Sequence, residues 1–429
     1  MPAKLKTLTL GCKVNQYETE LVREGFLRAS FRDAEEGEAA DLCVVNTCTV
    51  TAEGDSKSRQ AIRRLARENP EARIVVMGCY ATRAPEELAK LPNVAEVVTD
   101  KREIPDLLGR FGVIDVPTGI SRFGSRHRAY VKVQDGCLLR CSYCIIPYVR
   151  PHFGSRPMAH VLEEVRRLVD GGYREIVLTG IHLGHYGIEQ NRDRPKIDWL
   201  RLSSLVREIA RLPGDFRIRL SSIEATEVTR ELLAVMAEYP ERIAPHLHIC
   251  LQSGSDAVLR RMRRRWSSQM FVNRCDLVRE TLDQPAITTD IIVGFPGETD
   301  EDFGATCRVS RDCGFSKIHI FPFSARKGTP AAEMSDFVPP QIKNERCARL
   351  AEVERKLRDD YFASLVGRCL TVLPEGRSEA NAGLLRGTSC RYAPVELPAG
   401  AIEPGALIRA RATAVKDDHL VAETTNGPL

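Results

Sequence analysis

The stretch Gln134-Asp135-Gly136-Cys137-Leu138-Leu139-Arg140-Cys141-Ser142-Tyr143-Cys144 sets three cysteines in a Cys-x3-Cys-x2-Cys spacing, and the chain must fold around whatever these thiols hold. Three thiolates on one short loop suit an iron-sulfur cube and leave its fourth iron without a protein ligand, much as a catalytic metal site keeps one position open. Chemistry belongs at that open position. The plainer alternatives are a structural zinc site or three buried thiols. A closed zinc site wants four ligands, with a second pair further along the chain, and this single triplet offers no such pair.

A chain of 429 residues has room for two to four domains. With 43% hydrophobic and 28% charged residues it has the profile of a soluble globular protein. The balance of 62 Lys+Arg against 58 Asp+Glu leaves +4, which permits a nucleic-acid partner only through local patches. No apolar run is long enough to span a bilayer, and Met1-Pro2-Ala3-Lys4-Leu5-Lys6 is not followed by a signal-peptide core, so no membrane partner and a cytoplasmic location are expected. In a chain of that kind fourteen cysteines point to metal or catalysis rather than to disulfides.

Apolar runs at Leu5–Leu10, Leu42–Val45, Ile74–Met77 and Val94–Val98, separated by charged helical stretches, predict an open parallel sheet with helices on its faces. Cys12, Cys48 and Cys79 each follow one of these runs. Ligands of open parallel sheets gather beyond the carboxyl ends of the strands, so these three residues can converge on a shared site although they are far apart in sequence. Any one alone reads sooner as an ordinary buried cysteine, as Cys43 inside the second run does, and it is three at equivalent strand ends that turn the reading to a shared site. Gly11 and Gly78, directly before two of them, would let backbone approach a bulky cluster.

A basic, Pro/Gly-punctuated link is expected over residues 104–128. Six strand-like segments follow, at Tyr130–Val133, Glu175–Thr179, Arg217–Leu220, His246–Leu251, Thr288–Val293 and Lys317–Phe321. Helical patterns lie between them, one running unbroken from Asp256 to Thr281. Six such units fall short of the eight of a closed barrel, so a partial (β/α)6 barrel is expected, with the Cys137 loop after its first strand. Strand-end turns holding Thr179, Gly180, Ser222, Glu224, Gln252, Ser253 and Gly294 would line the same mouth. His182 and His185 read as satisfied loop histidines. The run Arg260-Arg261-Met262-Arg263-Arg264-Arg265-Trp266 is either a solvated helix face or a phosphate contact. After a charged helix at about 341–364, short strands with Gly/Pro turns predict a small C-terminal β-barrel of the sort that handles RNA.

Taken together, the three strand-end cysteines, the Cys-x3-Cys-x2-Cys loop and the β-rich tail resemble the radical S-adenosylmethionine (SAM) methylthiotransferase family over essentially the whole chain. Within it, Leu10-Gly11-Cys12-Lys13-Val14-Asn15-Gln16-Tyr17-Glu18-Thr19-Glu20 is similar to the branch acting on N6-threonylcarbamoyladenosine beside the tRNA anticodon. Asn46-Thr47-Cys48-Thr49-Val50-Thr51, residues 179–184 and residues 219–224 point the same way.

The resemblance implies three domains: residues 1–115 with an auxiliary cluster, 123–355 as the radical-SAM core, and 358–426 as a TRAM-like RNA-binding barrel. It implies two 4Fe-4S clusters, one on Cys12, Cys48 and Cys79 and one on Cys137, Cys141 and Cys144. It further implies SAM on the open iron, cleaved to a radical that attacks C2 of the adenine, an electron donor such as flavodoxin or ferredoxin, and tRNA as partner. The competing expectations are a family member acting on isopentenyladenosine tRNA or on a ribosomal protein, and a non-catalytic RNA-binding protein whose cysteine triplets hold zinc.

Overall fold

The computed structural model describes residues 2–113, 118–124, 127–379, 381–400 and 402–425. The expected domain limits at 115 and 426 therefore lie outside the described residues. Strands β1 (Lys4–Thr9), β2 (Arg32–Asp33), β3 (Leu42–Thr47), β4 (Arg73–Gly78) and β5 (Val94–Val97) form one parallel sheet in the order β2-β1-β3-β4-β5. β3 reads Leu-Cys-Val-Val-Asn-Thr and is buried at every position, as expected of a central parallel strand covered on both faces. Cys43 belongs to this core.

The helix Lys13–Arg28 joins the first two domains, because its apolar residues point two ways. Val22 and Phe26 enter the core of the first domain, and Tyr17 enters the core of the second. The expected link from residue 104 instead opens with a helix, Ile104–Arg110, whose Ile104, Leu107 and Leu108 pack under the sheet. Pro105 in its first turn costs no hydrogen bond there, so this proline starts a helix rather than a loop.

The second domain carries β6 (Arg128–Asp135), β7 (Gly154–Ser155), β8 (Glu175–Gly180), β9 (Arg217–Leu220), β10 (Ser222–Ile223), β11 (His246–Ile249), β12 (Ala286–Val293) and β13 (Lys317–Pro322). They pair as β7-β6-β8-β9 and β10-β11-β12-β13, and a bridge between Ile218 and Ile243 joins the two sheets. The expected six strands are thus β6, β8, β9, β11, β12 and β13, a barrel that does not close.

One expected helix is two. The stretch 256–281 breaks into Asp256–Arg261 and Ser268–Thr281, with Arg263 at φ +59° and the Ser267 hydroxyl capping the second piece. Finally, the 26-residue helix Pro340–Leu365 lays Leu350 on the barrel core and delivers Phe362 and Leu365 to the core of the tail. There β14 (Cys369–Arg377), β15 (Leu384–Ser389), β16 (Pro394–Pro398), β17 (Ile408–Lys416) and β18 (His419–Thr424) close into a barrel in the order β14-β15-β16-β18-β17. Among the described residues no helix is long and apolar enough to cross a membrane.

Candidate active site

Cys12, Cys48 and Cys79 leave the ends of three adjacent parallel strands, paired as Thr9 with Asn46 and Thr47 with Gly78. Two glycines in the left-handed region make the approach possible. Gly11 has φ +101°, and a Cβ there would lie 2.9 Å from the Cys48 Cβ. Gly78 has φ +99°, and a Cβ there would lie 2.3 Å from the Asn46 Oδ1. The Asn15 amide ties the two loops together by donating to the carbonyls of Leu10 (2.9 Å) and Thr47 (3.1 Å). Burial first, with Cys79 and Cys12 adding, raises the Cys48 thiol, so the three sulfurs feel one another's charge.

The Cys137 loop leaves β6 through Gly136, at φ +74°, where a Cβ would lie 2.4 Å from the His152 carbonyl. Gln134 pins the turn: its amide donates to the carbonyls of Asp135 and Gly136, and its Oε1 accepts from His182 N at 2.8 Å. Further along, Ser142 binds the backbone of Met262 and Arg261 and accepts from Ala331 N, so the loop is held against the break between the two helix pieces. Burial pushes the Cys144 thiol up to about 12, so binding a cluster there must displace a firmly held proton.

Each triad has cationic groups aimed at its sulfur. Arg264 donates to Cys141 Sγ at 3.4 Å, pairs with Glu224, donates to the Cys250 carbonyl and lies 3.9 Å over the Trp266 ring. This is why the helix breaks there, and it removes Arg264 from the supposed basic face: the arginine run is neither one solvated face nor one phosphate contact. Arg261 of the same run is paired with Asp336.

His182, expected to be a satisfied loop residue, places Nδ1 3.5 Å from Cys137 Sγ and Nε2 3.0 Å from Glu227 Oε1. Against burial, which would lower it, Cys137 and Glu227 raise His182 to about 9. His185 stacks on His182 at 3.5 Å, and burial, with the charge of His182, pushes it down to about 4. The sequence signal missed here was the position of His182 two residues after Gly180, at the end of the second barrel strand.

The two cysteine edges face each other across Arg150. This side chain is buried. It donates to both oxygens of Glu18 (2.8 and 2.9 Å), to Asn15 Oδ1 (2.9 Å), to Asp135 (2.8 Å) and to Cys79 Sγ (3.3 Å). Beside it, Cys79 packs on Ile145 and Val149, which follow the Cys137 loop.

Among the described residues, the ligand-type groups whose atoms all lie within 4.8 Å of one another are His182, His185, Glu227 and His248, Asp290, His319. Neither cysteine triad is so tight. A tetrahedral zinc-thiolate site brings sulfurs to about 3.8 Å, whereas an iron cube spreads its ligands more widely.

The strand-end residues divide. Ser222 is exposed and opens on a cavity of about 220 Å³ inside the barrel, and Glu224 reaches the Cys141 loop through Arg264. Thr179 is buried at the end of β8, and Gly180 lies against Gln134. Gln252, at φ +68°, pairs its backbone with Asp290 and Ile292. Ser253 is fully buried, its hydroxyl engaged by Thr306 and Ser255 N, and Gly294 N donates to Glu298. The hydrogen bonds of Ser253 and Gly294 hold the barrel's own turns.

Residues 4–100 match the model of "Uncharacterized protein family UPF0004" and residues 131–309 that of the Radical SAM superfamily. Over 390 residues the chain is 41% identical to the threonylcarbamoyladenosine tRNA methylthiotransferase MtaB of Bacillus subtilis (strain 168), a match covering 86% of this chain and 84% of that protein. It is 36% identical over 422 residues to the protein of the same name from Chlamydia pneumoniae, covering 97% of each. In fold it resembles the radical S-adenosylmethionine methyltransferase TsrM from Kitasatospora setae, solved with cobalamin and a 4Fe-4S cluster bound. There the TM-score is 0.56 with 14% identity over 77% of each chain. With both domain models matched in order and these relatives aligned along most of its length, the chain belongs to the radical-SAM methylthiotransferase family.

Proposed function

We propose that this protein replaces the hydrogen on C2 of N6-threonylcarbamoyladenosine, next to the tRNA anticodon, with a methylthio group. The observation that carries the proposal is the opposition of two cysteine triads across Arg150, in a chain 41% identical to a threonylcarbamoyladenosine tRNA methylthiotransferase. Cys12, Cys48 and Cys79 would hold the auxiliary 4Fe-4S cluster, and Cys137, Cys141 and Cys144 the cluster that binds SAM. Three thiols per site, spread more widely than zinc requires, fit such cubes. When bound, the clusters and SAM supply the electron, the methyl group, the sulfur and the hydrogen-abstracting radical.

The protein's own residues position and shield. Arg150 and Arg264 direct N–H groups at Cys79 and Cys141, and His182 sets Nδ1 against Cys137, where its protonated form would favour the thiolate as the arginines do. Ser222 and Glu224, with Thr179, Gly180, Gln252, Ser253 and Gly294 shaping the turns behind them, form the rim on which SAM would lie. The parts would divide as residues 1–115, 123–355 and 358–426, the last a TRAM-like unit whose closed five-stranded barrel would grip the anticodon stem-loop. A flavodoxin or ferredoxin would supply the electron, in the cytoplasm.

The test is mass spectrometry of nucleosides from tRNA incubated with the anaerobically reconstituted protein, SAM and a reductant. The expected product is 2-methylthio-N6-threonylcarbamoyladenosine, from protein carrying about eight irons per chain. Cys79→Ala and Cys137→Ala should each hold about four irons and make no product. Product on isopentenyladenosine instead, or a colourless zinc protein, would overturn the proposal.

A further inference from the structure

The cavity inside the barrel is lined by Lys13, Ser222, His246, His248, Asp290 and His319, among others. Its volume of about 220 Å³ is below the roughly 300 Å³ at which pockets begin to take whole drug-sized ligands, so it suits a substituent rather than a nucleoside. The two arginines of its wall are matched. Arg128 is paired with Glu175 and Glu375, and Arg219 with Glu175, while the Asp290 carboxylate lies 3.3 Å from the His248 imidazole. Among the described residues Lys13 is the lining cation without an ion-pair partner. It is also the first residue of a 16-residue helix, whose end adds partial positive charge. A second group is unmatched: His246 is buried and its Nδ1 has no hydrogen-bond partner. Burial foremost, with neighbouring cations including Lys13, holds His246 and His319 below the ordinary histidine value, so the ammonium is close enough to be felt inside the cavity.

We infer that Lys13 receives the carboxylate of the substrate's threonylcarbamoyl substituent, which enters the barrel cavity while the adenine stays at its mouth. The inference rests on the substrate reading above. Its chemistry is consistent, because C2 and N6 of adenine flank N1 on one edge of the ring. A base that presents C2 to the triad containing Cys12 therefore brings its N6 substituent to the neighbourhood of the next residue, Lys13. The ammonium supplies a charge-assisted hydrogen bond to the carboxylate. Lys13 is then a specificity-determining residue: it rejects a base whose N6 group is apolar by leaving a half-buried cation unmatched.

The test uses the full-length reconstituted protein and three anticodon stem-loops, carrying threonylcarbamoyladenosine, its threoninamide analogue, or adenosine. Binding is read by fluorescence anisotropy without SAM, so that no turnover is needed. Wild type should bind the carboxylate RNA at least about tenfold more tightly than the amide. Lys13→Met should lose that difference with its iron content unchanged, and Lys13→Arg should restore most of it. Equal affinity of the wild type for acid and amide overturns the inference whatever the variants do, as does an iron-replete Lys13→Met that keeps the preference. Either result leaves the proposed function standing if wild type still methylthiolates the first RNA. Failure to methylthiolate it counts against the function itself.

Discussion

Arg150 offers the sharpest measure of how the first two domains are joined. Its guanidinium comes from the central domain, yet both oxygens of its bidentate partner belong to Glu18 of the first. Against burial, which would raise it, Arg150 and then Lys132 hold the Glu18 carboxyl at about 2 instead of the ordinary 4.5. That difference is worth about 3 kcal/mol, and removing one partner of a buried pair costs about 3–5 kcal/mol. Arg150→Met should therefore destabilise the protein by about 3–5 kcal/mol in urea unfolding followed by circular dichroism, with increased hydrogen exchange in the helix Lys13–Arg28. The sign with pH follows from a depressed folded value: the stabilisation is complete above about 4.5 and is lost as pH falls toward 2. Glu18→Leu in the Arg150→Met background should recover much of the loss, since it removes a buried carboxylate left with Lys132 alone, while Lys132 and Asp135 keep each other at 2.5 Å. A single variant within about 1 kcal/mol of wild type, or a double variant as unstable as the sum of the singles, would refute the reasoning.

Two further perturbations test the other joints. Glu175 is buried and takes Arg217, Arg219 and Arg128, whose outer nitrogens bind the carbonyls of Thr371, Thr388, Ser389 and Cys390 and the Glu375 carboxylate; Glu175→Gln should loosen the tail barrel by about 3 kcal/mol, seen as faster proteolysis after residue 365 with the barrel core intact. Gly78→Ala adds a Cβ 2.3 Å from Asn46 Oδ1 and 2.4 Å from the Thr47 carbonyl at φ +99°, so it should shift the Cys79 loop and halve the iron content, whereas full loading would contradict the account of the turn.

Much of this was legible because parallel strands announce themselves. β3 and β4 are continuous apolar runs, and the cysteines follow directly where such strands must end. What stayed hidden depends on contacts between distant residues. Nothing local in Arg260–Trp266 opposes a helix; the break exists because Arg264 turns inward to Glu224, 40 residues earlier. His182 reads as any loop histidine until the barrel brings it to Cys137, 45 residues away. Ser253 has the composition of a ligand turn, but the hydroxyl of Thr306 claims it. Two-residue strands such as β2 and β7 carry too little pattern to be seen at all.

The buried arginines also raise the question of why polar joints persist where apolar packing would serve stability as well or better. Three of the cationic groups at the cysteine edges end on a cysteine sulfur: Arg150 on Cys79, Arg264 on Cys141, His182 on Cys137. Each is anchored behind by its own carboxylate: Arg150 by Glu18 of the first helix, and Arg264 and His182 by Glu224 and Glu227 of one capped turn. A carboxylate-backed cation costs little when the thiol is protonated and becomes strongly favourable when the thiol ionises to bind iron. The same side chains that lock the domain edges together therefore favour the ionised form of their ligands. On this argument the Arg150→Met, Glu18→Leu double variant should recover stability but not the auxiliary cluster, because the N–H group that reaches Cys79 is gone. A double variant that is stable and holds about eight irons would separate the two roles and leave the arginine a purely structural residue.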